Sequence, residues 1–326
     1  MAIETNTQQT FTTKGIAEDV DAMITRIAPT ETPFMSAIGK GKAMNTFVEW
    51  QTQDLATVAP NAQIEGDTYA AQATTPTVRL GNYTQISTKV VSVSGTNEAV
   101  KSYGRGSEIG YQMSLKALEL KREQEAALCS AANGVAGAVS NATTSVNHAG
   151  SASVARLLRG IEGWIADNVD LGATGVAPVY TMGSWTAPVD GTARALTEAQ
   201  FLNVAQKCYD AGGNPTMAIM SSKQRNALNA FNGGTQKFNK MEDGTIDGTF
   251  DVYVSSFGTY KIVNSRFVRN SVIHLIEPGK WELSVLRPYQ VEDIANTADS
   301  KRKALKTEFT LKCFAPNANG SVKALS

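Results

Sequence analysis

Residues 107–133, SEIGYQMSLKALELKREQEAALCSAAN, constrain this chain most: they hold no proline and a single early glycine. Ile109, Met113, Leu120, Ala127 and Ala131 recur at helical spacing, and Tyr111, Leu115 and Leu118 widen that face. Glu108 suits the positive end of a helix, and Lys121 and Glu125 fall one turn apart on what reads as the solvated side. Gly134, after Asn133, supplies a left-handed stop. At about 1.5 Å per residue the helix would be roughly 40 Å long, more than most globular domains need. An elongated subunit follows, and with it the first hint of an assembly.

At 326 residues the chain can form two compact domains or one with large insertions. Thirty basic and thirty acidic residues cancel, so no global charge draws it to nucleic acid or to an anionic membrane. No apolar run approaches the roughly 20 residues of a membrane span, and MAIETNTQQTFTTKG lacks the apolar core of a signal peptide. Cys129, Cys208 and Cys313 sit in apolar patterns rather than at metal-ligand spacing, which reads as reduced core thiols.

In chain order, Ile16, Val20, Met23, Ile24 and Ile27 suit a short amphipathic helix stopped near Pro29. The TETPF run that follows favours an extended path before its proline. Phe34 and Met35 on such an arm need cover, either from a neighbouring surface or from their own domain. A long hairpin comes next. Its strands are residues 45–52 and 77–94, and a switch of face near residues 89–91 suggests a bulge. Residues 54–76 between them are polar, alanine-rich and coreless, so the hairpin is marginal without a neighbour.

Residues 134–153 read as a loop containing His148, and residues 154–168 as a second helix with Leu157, Leu158, Ile161 and Trp164 on its apolar side. A glycine-rich connection leads to a strong helix signal: Thr197 and Gln200 form a capping box, and Phe201, Val204, Ala205 and Cys208 form the stripe. Residues 216–220 read as a buried strand, Ser222 as the cap of a helix running to Phe231, and the chain from Gly248 as a meander. In the last strand, ALKTEFTLKCF, alternation turns Leu305, Phe309, Leu311 and Cys313 inward and Lys306, Glu308, Thr310 and Lys312 outward.

Catalytic equipment is sparse. His274 lies within a strand pattern, where a structural role fits, and His148 has no cysteine or paired carboxylate near it in sequence. Gly104, Gly106 and Gly110 open a helix but lack the lysine and serine of a phosphate loop, so a helix-entry turn is the better reading. Asp19/Asp21 and Glu242/Asp243 lack the spaced oxygens of a calcium loop. Lys301, Arg302, Lys303 and Lys306 form a basic cluster with no interleaved aromatic platform.

These residues together resemble a known family. PTETPFMSAIG at 29–39, Glu49-Trp50 and TQDL at 52–55 are similar to the N-terminal arm and extended loop of tailed-phage major capsid proteins. LTEAQFLNVAQKCYDAGGNPTMAIMSSKQRNALNAF at 196–231 is similar to that family's helix–strand–helix, and the later strands follow in the expected order across nearly the whole chain. The resemblance implies an α+β fold of the Hong Kong 97 type. Its parts would be an arm (1–40), an extended β-hairpin (41–98), a peripheral domain with the spine helix (99–170 with 297–326) and an axial domain (171–296).

It also implies a self-assembling icosahedral shell around double-stranded DNA, no enzymatic step, no cofactor and no bound metal. Partners would be further copies in hexamers and pentamers, with portal, scaffolding and decoration proteins, and no membrane. The absence of a helical preface suggests separate scaffolding or none. Candidate interface residues are Phe34, Met35, Asn61, Gln63, Glu65, Asp67, Tyr69 and Arg79. The alternatives are an encapsulin-like compartment, a tail or baseplate protein, and a thiol hydrolase using Cys129 or Cys208.

Overall fold

The computed structural model describes residues 30–66, 68, 71–130, 148–182, 185–231, 252–296 and 298–326. The expected helix over 16–27, both acidic pairs, Gly134, Asp67 and Tyr69 fall outside them; the long helix expected over 107–133 ends earlier, at Cys129, because Ser130 is already extended. In order the elements are α1 (Pro33–Ala37), β1 (Gly39–Lys42), β2 (Phe47–Thr52), β3 (Val78–Tyr83), β4 (Gln85–Ser94), α2 (Gly95–Ala99) and α3 (Glu108–Cys129). There follow α4 (Ile161–Trp164), β5 (Asn168–Asp170), α5 (Glu198–Asp210), β6 (Met217–Met220) and α6 (Ser222–Asn229). The chain closes with β7 (Val252–Ser255), β8 (Gly258–Asn264), β9 (Ile273–Ile276), β10 (Trp281–Ile294), β11 (Ser300–Cys313) and β12 (Gly320–Val322).

Three sheets organise these elements: β1-β10-β11-β4, β5-β12-β9-β6-β8-β7, and the isolated ladder β2-β3. In the first, β10 and β11 are paired antiparallel from Trp281↔Cys313 to Ile294↔Arg302. At about 3.4 Å per residue these 14-residue strands are long arms. Their root is buried and the far end of β10 is exposed. The spine α3 lies along this sheet, with Ile109 and Met113 against Val91 and Val93. The main core joins the two larger sheets: Phe34, Leu128, Ile161, Trp164, Trp281, Phe309 and Leu311 pack with Met217, Ile219 and Ile276. A second core forms beneath α5, from Phe201, Val204, Cys208, Tyr253, Tyr260 and Ile262.

Local chemistry explains the clear starts and stops. The capping box opens α5, with the Thr197 side chain accepting from the Gln200 amide and the Gln200 side chain accepting from the Thr197 amide. Gly212, at φ +81°, lets the chain leave that helix. All three cysteines are free and buried, as their apolar settings require.

Several expectations are corrected. No bulge interrupts β4: its odd-numbered residues turn inward along the whole strand, and its pairing with β11 is continuous from Gln85 to Ser94. The change of direction lies instead at Thr84, where the chain passes from one sheet to another. The second helix shrinks to α4, because residue 160 runs against the end of α3. A Cβ at Gly160 would lie 2.0 Å from the Ser130 carbonyl oxygen, so the backbone there passes too close for a helix with side chains. The helix after β6 begins one residue earlier than expected, with Ser221 at its cap. The meander is broken as well: β6, apolar and wholly buried, lies between β8 and β9, and β10 leaves for the other sheet. On β11, Glu308 and Thr310 are buried rather than solvated, because β3 and its flanking residues cross over them; Thr310 Oγ1 donates to the Tyr83 carbonyl at 2.9 Å.

The sharpest correction concerns Glu125. It is fully buried, and its two carboxylate oxygens accept the amides of Phe34 and Met35, each at 2.8 Å. The first amides of α1 have no intrahelical acceptor, and this carboxylate supplies both. Burial pushes the carboxyl up from its ordinary value, and the amide donors act against that shift. Glu125→Ala would leave two amides without acceptors, one of them buried, and is expected to cost about 3 kcal/mol. Urea unfolding should show the loss, and limited proteolysis should cut near residues 33–37; an unchanged midpoint would mean the clamp contributes nothing.

Candidate assembly surface

The hairpin is seated through its base. Phe47↔Tyr83 to Thr52↔Val78 form its ladder. Trp50 donates its indole N–H to the Cys313 carbonyl at 2.8 Å and packs on Trp164 at 5.3 Å between ring centroids. Asn82 is buried and reads two backbones. Its Nδ2 donates to the carbonyls of Arg159 (3.0 Å) and Leu311 (2.8 Å), and its Oδ1 accepts the Arg159 amide at 2.9 Å. At the exit point Thr84 is also buried. Its hydroxyl donates to Glu308 at 2.7 Å, and its carbonyl accepts from Arg156 Nε at 2.8 Å. Glu308 is held in turn by Arg156 and, at 2.8 Å, by Arg287.

Beyond this seat the described parts of the loop are exposed. Leu55 is 97% exposed and Ile64 80%. Val58 is as open as it would be in an extended chain. Sequence reasoning passed over these three, reading 54–76 as poor in packing residues; the available signal was isolated aliphatics in a polar run of no helical or strand period. Asn61, Gln63 and Glu65 lie on the same exposed loop, with Gln63 Nε2 donating to Asn61 Oδ1 at 3.4 Å. Arg79 lies on β3 and pairs with Glu49 of β2 at 2.6 Å, so its charge is engaged within the hairpin.

Phe34 and Met35 do not join that surface. Phe34 is fully buried in its own chain, edge-on to Trp281 with centroids 5.9 Å apart, and Met35 packs half-buried on the same core. Proline at the first helical position and the Glu125 carboxylate turn the segment into α1 and dock it, so the cover comes from the chain itself.

The remaining chemistry-bearing residues sit in structural settings. The turn with Gly104 leads into α3, whose Ser107 cap accepts the Gly110 amide. Glu98 completes that cap, accepting the Ser107 hydroxyl at 2.7 Å and the amides of Glu108 and Ile109 at 3.1 Å each, so this helix start is already filled by an anion. His274 is fully buried in β9, and burial, with Lys323 and Arg269 nearby, keeps it neutral. Burial also raises the thiols, Cys208 to about 12 and Cys129 and Cys313 well upward, so the hydrolase reading has no thiolate. In the basic cluster, Lys303 pairs with Asp293 at 3.3 Å and Lys306 with Glu292.

The Ser107 hydroxyl, and then the Ile109 amide, hold the Glu98 carboxyl below its ordinary value of 4.5. A depressed carboxylate stabilises the fold above that value, and the contribution is lost as pH falls through the folded value. Acidification below 4.5 should therefore lower amide protection factors at Glu108 and Ile109, and Glu98→Gln should remove the pH dependence. Equal pH dependence in the variant would assign the effect elsewhere.

Comparison with known proteins places this geometry. The family model described as the SU10 major capsid protein matches residues 3–326. The major capsid protein of Escherichia phage Phieco32 is 26% identical, over 91% of each chain. Among solved structures, the capsid of cyanophage A-1(L) superimposes with a TM-score of 0.64 at 12% identity, covering 97% of this chain and 98% of that one. A chain from Microbacterium phage Oxtober96 gives 0.60 at 12% identity, over 95% and 96%. The capsid of a native GTA particle gives 0.60 at 11% identity, over 96% of both chains.

Proposed function

The chain belongs to the SU10 major capsid protein family and is a phage shell protein, and from that premise we propose that its copies assemble as hexamers and pentamers of an icosahedral head around double-stranded DNA. Assembly takes place in the host cytoplasm, with portal, scaffolding and decoration proteins as further partners. The arm, the hairpin, the peripheral part with α3 and the axial part under α5 act as separate gripping and body elements. One observation carries this reading: a loop bearing Leu55, Val58 and Ile64 in solvent, held on a buried and hydrogen-bonded base. Burying such side chains on a neighbour contributes about 1.5–3 kcal/mol each. Repetition around a closed ring turns modest contacts into a stable shell. Asn61, Gln63 and Glu65 supply the polar rim of that contact.

Negative-stain microscopy of purified protein should show closed shells, and particles from infected cells should contain genomic DNA. Tubes, rings or shells filled with protein cargo would contradict the proposal. The triple variant Leu55→Ser/Val58→Ser/Ile64→Ser should keep the thermal stability of the unassembled subunit and lose shell formation. Normal shells from it would remove these residues from the contact.

The shell is held non-covalently. An amine cross-link from the hairpin needs a lysine at its reaching end, yet none occurs from Ala43 to Thr88, and Arg79 is paired with Glu49. Particles boiled in detergent should run as single chains near 34.7 kDa. A ladder of covalent oligomers would overturn this.

A further inference from the structure

Arg159 lies beneath the base of the hairpin and is fully buried. Its backbone is held by Asn82, and its Nη1 makes one long contact, 3.4 Å, to the Gly163 carbonyl. Its Nε and Nη2 have no acceptor, and among the described residues no carboxylate pairs with it. Glu162 and Asp190 pair with Arg269 instead, and Asp167 accepts from the Tyr180 hydroxyl. The guanidinium carbon lies 5.0 Å from the Trp164 ring centroid and 5.9 Å from that of Trp185, and the indole N–H groups of both rings are likewise buried without an acceptor. Ring faces offset part of the cost of burying this cation but leave four donors unused.

A buried charge with no counter-charge and unmade hydrogen bonds costs several kcal/mol in an apolar setting. Arginine sheds its proton with difficulty, although burial lowers it here to about 9. The economical remedy is an acceptor that carries negative charge. We propose that Arg159, with the indole N–H groups of Trp164 and Trp185, forms a buried site for one small inorganic anion.

A halide or a phosphate would accept from the guanidinium edge and the two indoles. Half-buried aromatic rings surround this region: Trp50 and Tyr180 pack on Trp164, and Phe47 on Trp185. Because Trp185 packs against Phe47 and Tyr83, 6.1 and 5.7 Å away between centroids, the anion would tighten the seat of the hairpin. The site lies within one subunit and does not depend on how copies assemble.

The test uses the full-length protein at constant ionic strength, with gluconate replaced stepwise by chloride or by phosphate while melting temperature is followed. A saturable rise with either anion is expected, as for any ligand that binds only the native state. Chloride against phosphate tells which is preferred. Bromide should in parallel give a saturable quenching of tryptophan fluorescence. Trp185→Phe keeps the ring and removes one donor, so the half-saturating concentration should rise about fivefold, the equivalent of one hydrogen bond. Arg159→Gln should abolish the saturable component, and if it fails to fold the Trp185 variant carries the test. A linear response shared by wild type and Trp185→Phe, or no difference between gluconate and the small anions, would overturn the proposal.

Discussion

The buried Glu308 carboxylate fixes the point from which the hairpin departs, and the proposed role of that loop in assembly rests on this anchor. Glu308 binds Arg156, Arg287 and the Thr84 hydroxyl at once. A carboxylate so placed is stable only with its partners in position, since removing one leaves an uncompensated charge. The ion pairs therefore specify a direction of departure more than they add net stability. Asn82, two residues before Thr84, reinforces the same choice by matching its amide to the Arg159 and Leu311 backbones. A loop with no core can then project in a defined direction.

The body is tied together in ways that keep its own segments from straying. Glu125 draws α1 onto the end of the spine, next to the Trp281 at the root of β10. The C-terminal strand β12 runs between β5 and β9, and Lys323 just beyond it is fully buried, donating to the Glu162 carbonyl at 3.0 Å. Glu162 also pairs with Arg269, which pairs with Asp190. With α1 and the C-terminal strand tied into the core, the hairpin is the large apolar-bearing projection among the described residues. Intrachain burial is thus concentrated in the body, and the described part of the loop stays exposed.

Much of this was legible in the sequence where the signal is local. The Thr197/Gln200 capping box, the α5 stripe, the uninterrupted helical run of α3 and the inward Leu305, Phe309, Leu311 and Cys313 all rest on short-range periodicity or capping. Failures came where a distant segment supplied a partner. Glu125 reads as solvated until α1 presents two amides to it, and Glu308 and Thr310 read as outward until β3 crosses above them. Gly160 reads as a tolerable helix residue until the Ser130 carbonyl arrives. Arg159 shows no sequence signal of burial, because only the tertiary approach of Trp164 and Trp185 creates its setting. On the exposed loop, the polar character of Asn61, Gln63 and Glu65 follows from its composition, while the exposed aliphatics Leu55, Val58 and Ile64 are hidden by their isolation.

The central claim is that the hairpin is seated by its own chain and ordered by its neighbours. Hydrogen exchange on the unassembled subunit and on the closed shell tests it directly. Amides of residues 53–66 should exchange rapidly in the subunit and slow sharply in the shell, while those of β11 and the buried end of α3 stay protected in both. Equal protection of the loop in the two states would contradict the account.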